Sequence, residues 1–227
     1  IYRGAAKLAP AHTLTWRVGE RTPRVRRYWD VSFEPDGGIT LDDACAQLRD
    51  KLTESVKLRM ISEVPLGAFL SGGVDSSAVV AAMAGLSDQP VKTCSIGFDV
   101  ASFNESEFAQ RVAERYRTDH CTETVRSDDF GLIDRLSSLY DEPYADSSAI
   151  PTYRVCELAR KRVTVALSGD GGDETFGGYR RYKFHVREQA LRDRLPAGLR
   201  QVLFGTLGRV YPKFDSMPRI FRARVTF

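Results

Sequence analysis

The sequence predicts an α/β protein, a parallel sheet with helices on both faces followed by a mostly helical C-terminal segment. Three observations carry that reading. Between residues 64 and 168 short apolar runs alternate with helical stretches. The runs VPLGAFL, VKTCSIGF and VTVALS are continuous rather than alternating, as in strands covered on both faces. Two of them lead into glycine-rich turns, the kind of segment that binds ligands at the carboxyl edge of such a sheet.

The elements follow in order. Residues 1–38 are irregular, punctuated by Pro10, Pro23, Pro35 and Gly37-Gly38. They read as a strand or two and a linker, packed by Trp16 and Trp29. A helix starts after Thr40, with Asp43 three residues beyond that N-cap and Asp42 adding negative charge to the first turn. Leu41, Ala44, Cys45, Leu48, Leu52 and Val56 recur there at helical spacing. VPLGAFL (64–70) is a strand, SSAVVAAMAGL (76–86) a helix ending near Gly85, and VKTCSIGF (91–98) a strand. Residues 104–117 are helical, with Phe108, Val112, Ala113 and Tyr116 on one face. CTETV (121–125) is a strand with Cys121, Glu123 and Val125 on one face and Thr122 and Thr124 on the other. Helices over 128–140 and 148–161 precede the strand VTVALS (163–168). From Tyr179 onward the pattern changes to basic helices broken at Pro196, Pro212 and Pro218.

Composition excludes several classes. The chain has 227 residues, enough to bury a core without disulfides or metal staples. No run approaches 18 apolar residues, and IYRGAAKLAP lacks the apolar core of a secretory signal, so a cytoplasmic protein is expected. The four cysteines form no C-x-x-C and have no His at ligand spacing, which predicts small reduced core residues rather than a zinc or redox motif. The histidines have no assignable nucleophile or base partner, so surface or satisfied roles are expected for His12, His120 and His185. The net charge of +3 hides an asymmetry. Residues 178–227 hold twelve Lys/Arg against three Asp/Glu, a net of +9, and the rest carries −6. A basic segment can bind nucleic acid by counterion release. Here Arg192, Arg194 and Arg200 alternate with Leu191, Leu195 and Leu199, which reads as solvated helix faces, and nucleic acid is not the expected partner.

Two loops carry the chemistry. LSGGVDSS (70–77) joins a strand to a helix. Gly72 and Gly73 allow a sharp turn that aims backbone N–H groups at one spot, the helix N-terminus adds partial positive charge, and Ser71, Ser76 and Ser77 offer hydroxyls. This is an anion cradle suited to a phosphate or pyrophosphate. It lacks the Gly-Lys-Ser/Thr ending of a Walker A loop. Asp75 stands in its place, and a carboxylate beside a polyphosphate makes sense when Mg²⁺ bridges them. The plainer reading is a glycine-rich turn capped by Asp or Ser. The second loop, SGDGGDETFGGYRRY (168–182), follows another sheet strand and sets Asp170, Asp173 and Glu174 among glycines. Asp75 and Asp173 are natural partners for a hard cation.

Together these segments resemble the asparagine synthase family, and LSGGVDSS resembles the PP-loop of ATP pyrophosphatases. SIGFD, FNESEFAQRVAE, DEPYADSSAIPTY and SGDGGDETFGGYRRY follow at that family's spacing. KLAPAHTL and RYWD resemble the end of its N-terminal glutaminase domain and the linker after it. LGRVYPKFDSMPRIFRA is similar to a subgroup of amidotransferases associated with exosortase systems. The resemblance implies the adenine nucleotide alpha-hydrolase-like fold and an ATP-dependent synthetase. In that chemistry a substrate carboxylate attacks the α-phosphorus of ATP, pyrophosphate leaves, and ammonia converts the acyl-adenylate to an amide. It implies that Ser71, Gly72, Gly73, Asp75, Ser76 and Ser77 meet the pyrophosphate. Asp75 and Asp173 would be the Mg²⁺ ligands, Leu70 and Ile96 would meet adenine through their backbone, and Ser168 and Gly169 would contact the nucleotide. Asp170 stands where many members have Glu and is kept with Asp173 among the catalytic acids. Asp141, Glu142 and Asp146-Ser147-Ser148 line the acceptor pocket or form a loop and helix cap.

The resemblance also sets expected boundaries: a glutaminase and linker stub over 1–38, the ATP-binding domain over 39–182, and the start of a helical region over 183–227. Ammonia would come from a glutaminase domain missing here, because residue 1 is Ile and not a catalytic cysteine. The family's catalytic lysine lies beyond the chain end, and neither Lys183 nor Lys213 fits its motif. The expected partner is a small carboxylate such as aspartate, with a homodimer compatible. Two other readings are kept, a β-lactam synthetase-like enzyme and a PP-loop enzyme acting on RNA.

Overall fold

A computed structural model describes residues 3–194, 196 and 198, apart from 36, 100–103, 126–129, 141 and 145. The chain forms two compact units, residues 1–169 and residues 170–227.

The first unit opens with an antiparallel hairpin, β1 (His12–Thr15) and β2 (Arg24–Arg27), paired from His12–Arg27 to Thr15–Arg24. Trp16 and Trp29 do not pack a linker as the sequence suggested; both are exposed, and Trp16 Nε1 donates to the Glu20 carbonyl at 2.9 Å. A two-stranded ribbon has too little apolar surface to cover its own aromatics.

Helix α1 (Leu41–Arg59) starts as expected: Thr40 Oγ1 accepts from the Asp43 N–H at 3.2 Å and donates to Asp43 Oδ2 at 2.7 Å. Only its second half packs. Leu41, Cys45 and Leu48 of the predicted stripe are at least partly exposed, whereas Leu52, Val56 and Met60 join the core.

The sheet comprises β3 (Leu66–Phe69), β4 (Lys92–Phe98), β5 (Asp119–Val125) and β6 (Val165–Leu167). All pairings are parallel, in the order β5-β4-β3-β6. Between them run α2 (Val74–Leu86), α3 (Ser106–Tyr116), a 3-10 turn (Phe130–Leu132), α4 (Ile133–Leu139) and α5 (Ala149–Arg160). Side chains alternate across the sheet. Ala68 and Leu70 join Val56, Val80, Met83, Ala109 and Ala113 on the face of α1, α2 and α3. Phe69, Cys94, Cys121 and Ala166 pack with Leu158, Ala159 and Val163 on the α5 face. Helices therefore cover both faces, as the continuous apolar strands required.

Two expectations need correction. On α3 Val112 and Ala113 of the predicted face pack into the core with Ala109, but Phe108 is exposed, because Ala109 and Ala113, one turn apart, define the face turned inward. Cys45 and Cys156 are exposed free thiols; only Cys94 of the four is fully buried. No described helix is long and apolar enough to cross a membrane.

The second unit contains α6 (Gly172–Phe176) and α7 (Arg180–Asp193). Residues 201–227, with Lys213 and the LGRVYPKFDSMPRIFRA segment, lie outside the described residues, as does Asp141.

Candidate functional site

Strand order locates the site. From β3 the chain moves through β4 to β5 on one side, and then β6 adds on the other side of β3. The direction reverses between β3 and β6, and ligands bind outside the carboxyl ends of strands at such a switch point. Residues 70–77 leave β3, and residues 168–169 leave β6.

The first loop is held by its own hydroxyls. Ser71 Oγ and Ser76 Oγ lie 2.9 Å apart; Ser76 Oγ accepts from the Ser71 N–H at 3.3 Å and donates to the Gly73 carbonyl at 3.3 Å. Ser71 Oγ also accepts from the Gly73 N–H at 3.2 Å. These two serines thus shape the loop. Ser77 differs: its Oγ is buried and has no partner. Such an orphan is costly unless a ligand or water reaches it. No side chain caps α2, so its first-turn N–H groups stay available to an anion. Leu70 is buried, and its N–H already donates to the Cys94 carbonyl at 2.9 Å, which leaves its carbonyl side for other contacts.

Two glycines allow close approach. Gly72 has φ +81°, and a Cβ there would lie 2.5 Å from the Ala109 nitrogen and from Phe108 Cβ. The start of α3 therefore presses on the loop. A Cβ on Gly169 would lie 2.5 Å from the Ser76 nitrogen and 3.0 Å from Asp75 Cβ. The segments after β3 and β6 meet, as sheet topology predicted, with Gly169 against Asp75 and Ser76. Ser168 is half-buried beside it.

In the second unit, α6 is bracketed by Gly171 at φ +93° and Gly177 at φ +65°. Asp170 and Asp173 are exposed. Gly178 leaves the room that Asp173 Oδ1 fills, since a Cβ there would sit 1.9 Å from that oxygen. Tyr179 Oη donates to Glu174 Oε1 at 2.5 Å. This bond lowers the Glu174 carboxyl from its ordinary value and raises the Tyr179 phenol. Arg181 lies 4.2 Å over the Tyr179 ring.

Among the described residues, no group of three or more His, Cys, Asp or Glu is placed to hold a metal. A nucleotide-bound Mg²⁺ needs only one or two carboxylates, because phosphate and water oxygens complete its octahedron. Asp75, half-buried in the first turn of α2, is an oxygen donor of that kind.

Of the other predicted positions, Ile96 lies half-buried on β4, opposite Glu123 of β5. Glu142 pairs with Lys7. Asp146 Oδ1 accepts from the Ser148 N–H at 2.8 Å, which lowers the Asp146 carboxyl and arranges the start of α5. The sequence reading missed the pressure of Phe108 and Ala109 on Gly72. It also missed a polar network on β4 and β5 around His120, whose signal was the buried alternation Thr93-x-Ser95 opposite His120-x-Thr122.

Comparison with known proteins identifies relatives of the chain. Among curated proteins, a putative asparagine synthetase [glutamine-hydrolyzing] 2 of Methanocaldococcus jannaschii is 41% identical over 207 residues, covering 89% of this chain and 39% of that protein. Asparagine synthetase [glutamine-hydrolyzing] 1 of Bacillus subtilis is 35% identical over 188 residues, covering 76% of this chain and 29% of that protein. The chain thus spans less than half the length of these relatives. Among solved structures, an NH3-dependent NAD synthetase of Campylobacter jejuni aligns over 62% of this chain and 61% of its own, with a TM-score of 0.39 and 15% identity. Residues 47–227 match the model of the asparagine synthase family, and the chain belongs to that family.

Proposed function

We propose that this chain is the ATP-binding part of a synthetase that activates a carboxylate as its adenylate and converts it to an amide with ammonia. The observation that carries the reading is the uncapped start of α2 with the buried, unpartnered Ser77 Oγ, at the switch point of the sheet. There Ser77 and the α2 N–H groups bind the pyrophosphate. Ser71 and Ser76 keep the loop in shape, and Gly72 and Gly73 let its backbone approach. Leu70 and Ile96 meet adenine through their backbone, and Ser168 and Gly169 contact the nucleotide. Asp75 would hold a Mg²⁺ ion that neutralises phosphate charge, and Asp173 is the other candidate ligand. Asp170 orients the reacting groups beside Asp173. Activation is needed because a carboxylate is a poor electrophile and AMP a good leaving group.

The relatives' name supports glutamine as the source of ammonia and aspartate as the first acid to test. A glutaminase domain in the whole protein would supply that ammonia, and the cytoplasm would supply ATP. The test is carboxylate-dependent exchange of pyrophosphate into ATP by the full-length protein, with aspartate and other small acids. Exchange with at least one acid is expected, and it should disappear in Asp75→Ala. No exchange with any acid, or exchange that survives in Asp75→Ala, overturns the assignment.

A further inference from the structure

A strand buried on both faces usually carries apolar side chains. β3 does so on the α2 side, with Ala68 and Leu70. Beside them, β4 places Thr93 and Ser95, which are 0% and 4% exposed. Their hydroxyls join a ladder that crosses to β5. Thr93 Oγ1 lies 2.8 Å from Thr118 Oγ1 and 2.8 Å from His120 Nδ1. His120 Nε2 lies 3.0 Å from Thr122 Oγ1 and 3.3 Å from Ser95 Oγ, and these two hydroxyls are 2.8 Å apart. Both nitrogens of a half-buried imidazole are therefore engaged.

Buried polar groups destabilise unless satisfied, and a satisfied network holds one arrangement. This one holds register. Thr93 pairs with His120 and Ser95 with Thr122, so a one-residue slip of β5 would turn His120 and Thr122 to the α5 face and leave Thr93 and Ser95 without them. The ladder runs toward the carboxyl end of β4. Ser95 directly precedes Ile96, and the Cys94 carbonyl between Thr93 and Ser95 accepts the Leu70 N–H at 2.9 Å. Any shift of β4 therefore passes to the residue that opens the Ser71–Ser77 loop.

We propose that Ser95, His120 and Thr122 are positioning residues for the nucleotide, fixing the exit of β4 beside that loop. The proposal rests on the reading of the loop as an ATP site. None of the three touches the reacting atoms, so their removal weakens ATP binding and leaves the chemical step intact.

The test uses the full-length protein with Ser95→Ala, Ser95→Thr and Thr122→Val. ATP binding is read by competition with a fluorescent ATP analogue, and KM and kcat are read from pyrophosphate exchange. Ser95→Ala and Thr122→Val are expected to raise the Kd and KM for ATP about fivefold, with kcat within about twofold and an unchanged KM for the acid. Ser95→Thr, which keeps the hydroxyl, should behave as wild type. Thr122 is exposed, so its variant gives the answer even where the buried Ser95→Ala does not fold. A fall in kcat with unchanged KM for ATP marks a merely structural ladder and overturns the proposal, as does no change in either. Wild-type protein that binds no ATP overturns the ATP-site reading itself. Wild-type binding equalled by the variants overturns the ladder alone.

Discussion

The two glycine-rich loops look alike in sequence and are built differently. The first is embedded: Ser71 and Ser76 bond across it, α3 presses on Gly72, and Gly169 lies against Asp75 and Ser76. The second, past Gly169, is built around a short helix. Its short α6 lies between left-handed glycines, its acids are exposed, and its internal contacts include Glu174 with Tyr179 and the Arg181–Tyr179 stack. Glycine serves close approach at Gly72 and Gly169, and backbone conformation alone at Gly171. The first loop is therefore intolerant of an added atom at Gly72, whereas Gly171 of the second has open space beside it.

The largest expected effect tests whether the cradle is used. Asp75→Ala in the full-length protein should reduce pyrophosphate exchange by at least about a hundredfold, as for loss of a group made for transition-state charge, while the melting temperature changes little. Next is Gly72→Ala. The new Cβ meets the backbone of α3 and the residue keeps a left-handed φ, so stability should fall by about 2–5 kcal/mol in urea unfolding. Gly171→Ala is the matched control in the other loop. It has a similar φ but nothing within 4 Å of a Cβ, so the expected loss is only about 1–2 kcal/mol. Equal losses at the two positions would erase the distinction drawn above.

The smallest effect concerns the sheet beneath the first loop. Burial, and then the charge of Arg162, lower the His120 pKa from its ordinary value. The folded protein therefore binds a proton less readily than the unfolded chain. Its contribution is complete above an unfolded pKa of about 6.5 and is lost as pH falls through the lower folded value. Wild-type melting temperature should drop over that window, and His120→Gln should drop less.

Much of this was legible in the sequence. Continuous apolar strands and the switch from strand to glycine turn reveal the sheet, and the Thr40–Asp43 cap marks the start of α1. Strand order then brings Gly169 to Asp75 without any pairwise signal. Other features were not legible, because they depend on distances between elements. The stripe on α3 predicted Phe108 inward, but its Cβ backs onto Gly72 and its ring is left exposed, while Ala109 is buried. Three serines in the first loop looked equivalent, yet two bond to each other and one is left over. Thr93 and Ser95 read as ordinary strand residues until His120 lay opposite.

The backbone contact at Gly169 also bears on the order of folding. Asp75 and Gly169 are far apart in sequence, and contacts of that kind form after local ones because closing the intervening chain is entropically costly. The helix α2 can form early, but its N-terminus gains its second wall only when β6 joins β3. A ribosome-bound chain that has not yet emerged past Leu167 would carry the Ser71–Ser77 loop with one side open. On the proposed reading, nucleotide capture would then mark the end of folding, and during refolding the binding of a fluorescent ATP analogue should develop no earlier than amide protection in β6.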